Sequence, residues 1–398
     1  MLPTRLTDRK RLNVVGLNSG TSADGLDLAA MAIDRRRISF IAGTKRKFPS
    51  ELRRMIHRFA DGKNVALDEL VYLDNYLGDF IGRAAAGFIK RLAGKGTTVH
   101  LIASHGQTVR HLPTGGNYLG RLFRGSLQIG SLDMIAARTG LPVVGDFRQA
   151  DIAAGGEGAP ITTAAMGRLF SSKTEPRLIV NIGGMSNFFY FPESPGGKIK
   201  LKAADCGPGN ALLDLLAQML FDQPFDRGGR LAERGKLSQR LLALLLGQSF
   251  YSARERSTGR EQFGLELART IVNQGKRLKL SRYDIMRTAA ELTTLSIASA
   301  VWPLVKKDLF LDKLYLTGGG RNNRFFVKRL QYHLPDLQVE KIDSLGIDGD
   351  LVEAACFALL GESCLRSEPT RLPGGPTRSP VLGHFVQPPS ETGSRKRK

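Results

Sequence analysis

The sequence predicts an α/β protein of two lobes, and three observations carry that reading. Short apolar runs that end in small or polar loops recur along the chain: "VHLIASHG", "LPVVGDF", "LIVNIGG" and "KLYLTGGG". Longer stretches with apolar residues at helical spacing alternate with them. The opening "NVVGLNSGTSADGLDLAAMAID" (13–34) is echoed by "PRLIVNIGGMSNFFYF" (176–191), each an apolar run, a glycine- and hydroxyl-rich loop and a second apolar run. Strands followed by helices, with loops at the strand ends, place ligands at the carboxyl edges of the sheets.

Taken in order, "MLPTRLTDRKRL" is basic, and "NVVGL" is too short for a signal-peptide core. The polar, proline-containing "SSKTEPR" (171–177) separates the two openings and reads as a domain boundary. The first lobe is therefore set at 1–170 and the second at 171–385, with 386–398 a basic flexible tail that lacks apolar periodicity. Helical patterns cover 257–278, 284–307 and 348–366, the last opening on an Asp-Gly-Asp suited to an N-cap.

At 398 residues, 42% of them hydrophobic, the chain has the length and apolar content for two ordinary cores. No apolar run approaches the ~20 residues needed to cross a bilayer, so no membrane partner is expected. Cys206, Cys356 and Cys364 include no CxxC pair, which argues against a disulfide framework and for a reducing, cytoplasmic setting. The histidines are scattered; His105 and His111 lie six apart, matching neither helical ligand spacing. The net charge of +21 is spread over short clusters such as "DRRR", "TKRK" and "ELRRMIHR". No zinc-finger spacing or aromatic RNA-binding motif accompanies them, so a solvated basic surface is expected and nucleic acid is not.

Three loops carry the chemistry. In "GLNSGTSADG", Gly20 and Gly25 allow close backbone approach, Thr21 and Ser22 add hydroxyls, and Asp24 and Asp27 are within reach of a phosphate-bound Mg²⁺, directly or through water. It is not a Walker loop, because Thr21 stands where the lysine belongs. "NIGGMSN" offers Asn181, Gly183, Gly184, Ser186 and Asn187 on the second lobe's hairpin; two such tips facing one another would clamp a polyphosphate. "LTGGGRNN" ends a strand with Gly318, Gly319 and Gly320, flat enough for a purine to lie against the backbone. A ligand-free turn explains any one loop, but poorly explains all three.

These residues resemble the anhydro-N-acetylmuramic acid kinase family, within the actin, hexokinase and Hsp70 ATPase superfamily. "GLNSGTSADGLD", "SHGQTVRHLP", "SLQIGS", "DFRQADIAAGGEGAP", "NIGGMSNF", "DCGPGNALLD", "STGREQF", "LTGGGRNN" and "VEAACFALL" occur in the family's order between about residues 14 and 388. The resemblance implies two ribonuclease-H-like lobes with mixed sheets flanked by helices, a ligand cleft between them and hinge closure around ligand. It implies that ATP, with Mg²⁺, and water open the 1,6-anhydro ring of 1,6-anhydro-N-acetylmuramic acid and place phosphate on O6, in cell-wall recycling. A homodimer is one assembly the sequence allows.

Spacing alone does not choose the general base among Asp146, Asp151 and Glu157; the resemblance implies Asp151, with Asp146 orienting Arg148 or ending the strand. It places His105, Gln107 and Thr108 on the sugar side; Asp205 reads with Asp24 as an acid near Mg²⁺, Asn210 as a polar substrate contact, and Glu353, early in the last long helix, as a contact to sugar hydroxyls. Cys206 reads as a small packed residue rather than a nucleophile. This chain departs from the family at Glu157, where the family has glutamine, at Ser131, where it has Asp or Asn, at Ala23, where it has leucine, and in "GGPTRSP" near the end; the resemblance is closer on the ATP side than on the sugar side. The alternatives are a kinase of another sugar or anhydrosugar, and a non-catalytic nucleotide-binding relative with a basic partner-binding surface.

Overall fold

The computed structural model describes residues 4–20, 22–35, 37–62, 65–195, 201–247, 264–372, 375 and 378–390. Thr21, the "STGREQF" stretch and the "RKRK" end lie outside the described residues. The chain divides into two compact units, residues 1–169 with 351–398, and residues 170–350. The second lobe read from the sequence ran to residue 385, so its last segment is reassigned: from Leu351 onward the chain belongs to the first unit.

In the first unit β1 (Arg11–Asn18), β2 (Gly25–Asp34) and β3 (Ile38–Lys47) form an antiparallel meander. β4 (Leu101–Ser104) runs parallel to β1, and β7 (Val143–Gly145) parallel to β4. β13 (His384–Val386) closes the edge antiparallel to β7, giving the order β13-β7-β4-β1-β2-β3. Because β1, β4 and β7 are parallel, the loops that leave them share one edge of the sheet. β5 (Gln107–Tyr118) and β6 (Arg121–Ile129) make a separate two-stranded ribbon.

Alternate residues of β1 face opposite layers. Val15 and Leu17 join a core with Leu77, Ile81 and Ala85 of the helix Leu67–Ala93. On the other face, Gly16 meets the helix Val352–Leu365, which is buried along nearly its whole length. A helix that is apolar all round has to sit inside the fold, which is why this segment returns to the first unit. Its N-cap is Leu351, with no side-chain cap; Asp348 and Asp350 turn instead to Arg321 in the second unit.

The second unit repeats the strand order. β8 (Arg177–Ile182), β9 (Met185–Phe191) and β10 (Lys202–Pro208) form the meander, and β11 (Lys313–Thr317) and β12 (Gln338–Lys341) extend it in parallel. The order β10-β9-β8-β11-β12 matches β3-β2-β1-β4-β7, so both units are ribonuclease-H-like. Four of the strands read from the sequence are β4, β7, β8 and β11.

The helix Arg282–Lys307 starts at a capping box between Ser281 and Asp284 and packs its apolar residues into the second core. It is long and apolar enough to cross a membrane by length and composition, a run the sequence reading passed over, but 72% of that apolar window is buried inside the protein.

Candidate active site

In the first unit the loop after β1 begins with two buried polar residues. Asn18 Nδ2 donates to Glu353 Oε2 at 2.8 Å, and Ser19 Oγ donates to Gln107 Oε1 at 2.5 Å. Ser22 Oγ donates to Asp24 Oδ1 at 2.9 Å, and Asp24 is exposed. The two loop glycines differ. A Cβ on Gly25 would lie 2.7 Å from the carbonyl oxygen of Arg46, so packing against β3 accounts for it, whereas one on Gly20 would meet only Ser22 Oγ, at 3.9 Å. Asp27 lies on β2 with Lys45 Nζ 3.9 Å away.

Asp151 stands in the short helix Gln149–Ala153 that follows β7, and it is 1% exposed. Its Oδ2 accepts the Gly158 N–H at 2.8 Å, while Oδ1 is buried without a hydrogen-bond partner among the described residues. An unpaired buried carboxylate oxygen is costly, so such an atom points to a purpose beyond folding. Glu157, between buried Gly156 and Gly158, turns out to solvent. Asp146 does not orient Arg148: its Oδ2 lies 3.2 Å from His384 Nδ1, which ties β13 to the end of β7.

His105 is buried and its ring stacks on Phe357 with centroids 4.6 Å apart. Burial, reinforced by the Arg148 charge, pushes its pKa down to about 3, so the ring is neutral. Arg148 approaches His105 Nε2 with Nε at 3.3 Å and Nη2 at 3.1 Å, so that nitrogen is not open to a sugar hydroxyl. Gln107 is also buried and bonded to Ser19, and Thr108 Oγ1 accepts from Gln128 Nε2 at 3.1 Å. Of the expected sugar-side residues, Glu353 is the exposed one. Surrounding protein raises its pKa by desolvation, against the Asn18 hydrogen bond and the Arg148 charge.

Ser131 is the N-cap of the helix Leu132–Thr139, its Oγ accepting the Met134 N–H at 3.4 Å. Asp, Asn and Ser all serve at that position. The departure at Ser131 is therefore a change of cap that keeps the capping role.

In the second unit the tip between β8 and β9 turns its carbonyls inward. Gly183 O accepts the Asn210 N–H at 2.8 Å, and Gly184 O accepts those of Gly209 at 3.1 Å and Ala211 at 3.2 Å. These bonds fix the tip to the start of the helix Asn210–Phe221. Asn210, partly buried, also donates its Nδ2 to Ile182 O at 2.9 Å. Ser186 is fully buried, its hydroxyl within 3.1 Å of the Gly207 and Pro208 carbonyls, and is removed from the phosphate-facing set. Asn187 is partly buried, its Oδ1 without a hydrogen-bond partner among the described residues, and Asp205, opposite it in register, is partly buried.

After β11, a Cβ on Gly318 would lie 2.4 Å from Asn181 Oδ1, and one on Gly320 would lie 2.4 Å from Ile182 Cγ2. Gly319 is exposed, with Asn210 Nδ2 the nearest atom at 3.5 Å, and is the member open to a flat ring. Arg321, 5% exposed, holds this turn: it donates to Gly318 O at 3.1 Å and pairs with Asp343, Asp348 and Asp350. Sequence reasoning missed Arg321, because its partners lie 22 to 29 residues on in "IDSLGIDGD".

Among the described residues no group of three or more His, Cys, Asp or Glu forms a metal cage. Mg²⁺ bound with a nucleotide keeps several waters and takes one or two carboxylates plus phosphate oxygens, so the exposed Asp24 fits it. The first unit also holds a cavity of about 590 Å³ beside β3. Lys45, Arg46, Arg83 and Arg91 line it around Leu28 and Phe80, and it gathers part of the +21 charge.

The two units share a ribonuclease-H-like strand order, and each carries a glycine- and hydroxyl-rich loop between its first two strands. The model of the family "anhydro-N-acetylmuramic acid kinase" matches residues 12–387. An anhydro-N-acetylmuramic acid kinase from Saccharophagus degradans is 34% identical over 377 residues, covering 94% of this chain and 98% of the relative. One from Salinibacter ruber is 34% identical over 385 residues, covering 94% and 96%. The chain belongs to the anhydro-N-acetylmuramic acid kinase family, and it is an enzyme that uses a nucleotide as a kinase.

Proposed function

We propose that the chain uses ATP, Mg²⁺ and water to open the 1,6-anhydro ring of 1,6-anhydro-N-acetylmuramic acid and to phosphorylate O6, giving N-acetylmuramic acid 6-phosphate and ADP. The observation that carries this reading is the Asp151 carboxylate, buried with one oxygen bonded to Gly158 and the other unpartnered. In the proposed reaction the water oxygen bonds to C1 as the C1–O6 bond breaks, and O6 takes the γ-phosphoryl group. Asp151 accepts the water's proton, so one base serves ring opening and transfer together. Asp24 and Asp205 would hold Mg²⁺ through water, where it would offset charge on the transferring phosphate. Gly20, Ser22, Gly183 and Gly184 would border the phosphates, with Gly319 against the adenine and Glu353 toward the sugar hydroxyls. Three buried, free cysteines agree with a reducing compartment, and we place the enzyme in the cytoplasm, in cell-wall recycling.

The test is ADP release with Mg-ATP and the anhydro sugar, N-acetylmuramic acid or no sugar. Release with the anhydro sugar alone is the expected result. Equal release with N-acetylmuramic acid would mean transfer to a hydroxyl without ring opening, and release with neither would leave another acceptor.

A further inference from the structure

We propose that Arg148 is a positioning residue that sets which oxygen of Asp151 accepts the proton, and that His105 acts through Arg148 rather than on the sugar. The inference rests on the reading of Asp151 as the base.

Arg148 immediately precedes the short helix that carries Asp151. Its Nη1 donates to Gly158 O at 2.8 Å, and the N–H of the same glycine donates to Asp151 Oδ2 at 2.8 Å. Gly158 is thus gripped on both sides, by the guanidinium and by the carboxylate. It has a φ of +71°, a conformation that glycine adopts without strain. With Oδ2 committed to Gly158, Oδ1 is the oxygen left to take a proton.

The other half of the guanidinium is fixed from the core. A guanidinium only donates, so the His105 Nε2 that it meets at 3.1 and 3.3 Å is the unprotonated acceptor of a neutral ring. That ring stacks on Phe357, whose own ring lies 5.4 Å from Phe147. Phe357, His105, Arg148, Gly158 and Asp151 form one continuous chain of contacts, from a buried helix to the carboxylate. Removing the guanidinium frees the Gly158 loop and lets the carboxylate turn. A misplacement of about 1 Å at a reacting group costs on the order of 100-fold in rate.

The experiment compares Arg148→Ala, Arg148→Lys, His105→Leu and His105→Gln by steady-state kinetics with ATP and the anhydro sugar. Arg148→Ala is expected to lower kcat by about 100-fold with the sugar KM within about threefold, and added methylguanidinium to restore part of it. His105→Leu, which removes the acceptor, is expected to lose about tenfold more in kcat than His105→Gln, which keeps one, again at steady sugar KM. A raised sugar KM at unchanged kcat in either series would make these residues direct sugar ligands and overturn the inference. If Arg148→Ala does not fold, as judged by its melting and ATP binding, Arg148→Lys and the His105 pair carry the test. Loss of turnover in Asp151→Asn with normal kcat in Arg148→Lys and His105→Leu would overturn this inference alone. Normal turnover in Asp151→Asn would instead overturn the base assignment.

Discussion

Gly156 and Asp151 are packed so closely that a Cβ on the glycine would lie 2.1 Å from the carboxylate Oδ2, while the Gly156 N–H bonds to the Asp151 main-chain oxygen at 2.8 Å. The glycine-rich run after the base is thus the wall against which the carboxylate is seated. Gly156→Ala has to displace either the carboxylate or the loop. We expect kcat to fall at least about tenfold with the ATP affinity unchanged, since the ATP loops lie on other segments. Parallel kinetics and nucleotide titration check this; wild-type kcat would mean that the carboxylate has room to move.

Ser131 offers a contrast, because its work is structural. Its hydroxyl caps the helix Leu132–Thr139, so Ser131→Ala should cost roughly 0.5–1 kcal/mol of stability and Ser131→Asp should cost none. Neither should change the sugar KM. Urea denaturation beside steady-state kinetics measures both, and a sugar KM that moves with either variant would return Ser131 to the sugar pocket.

The neutral His105 makes a pH prediction. Its pKa is about 3 in the folded protein against 6.5 for an unperturbed histidine, so the unfolded chain binds the extra proton between those values. This contribution to stability is whole above pH 6.5 and is lost as pH falls toward 3, by at most about 1.4 kcal/mol per pH unit. His100 and His111 are shifted down as well, so the comparison is between wild type and His105→Gln. From pH 7.5 to 5.5, the unfolding free energy of the variant should fall less than that of wild type, by up to about 1.4 kcal/mol. Equal losses would mean that His105 takes up its proton as readily in the folded chain as in the unfolded one.

Much of the frame was legible because the signals are local. β4, β7, β8 and β11 are apolar runs cut off by loops, and the helix Arg282–Lys307 carries apolar residues at helical spacing. The β5–β6 ribbon was not legible, since glycines, a proline and bulges between Thr108 and Arg110 and between Leu112 and Gly116 interrupt its alternation. The return of residues 351–398 to the first unit has no local signal either, because it depends on which core accepts an all-apolar helix. The same division holds at the site. Loop composition marked the glycines, the hydroxyls and Asp151, but not which side chains are already spent. Ser186, Gln107 and His105 have the right chemistry for ligands, and each is turned to a protein partner by packing. Arg148 was legible only as a neighbour of Asp146, and its partners lie at the end of β4 and in the loop after Asp151.

The most direct measurement is turnover of 1,6-anhydro-N-acetylmuramic acid by Asp151→Asn, with ATP binding followed on the same protein. The substitution keeps the size of the side chain and removes its capacity to take a proton. The account predicts ADP release at least about 1,000-fold slower than wild type with an unchanged ATP dissociation constant. Turnover within about tenfold of wild type would contradict it and leave Glu353 as the carboxylate to examine.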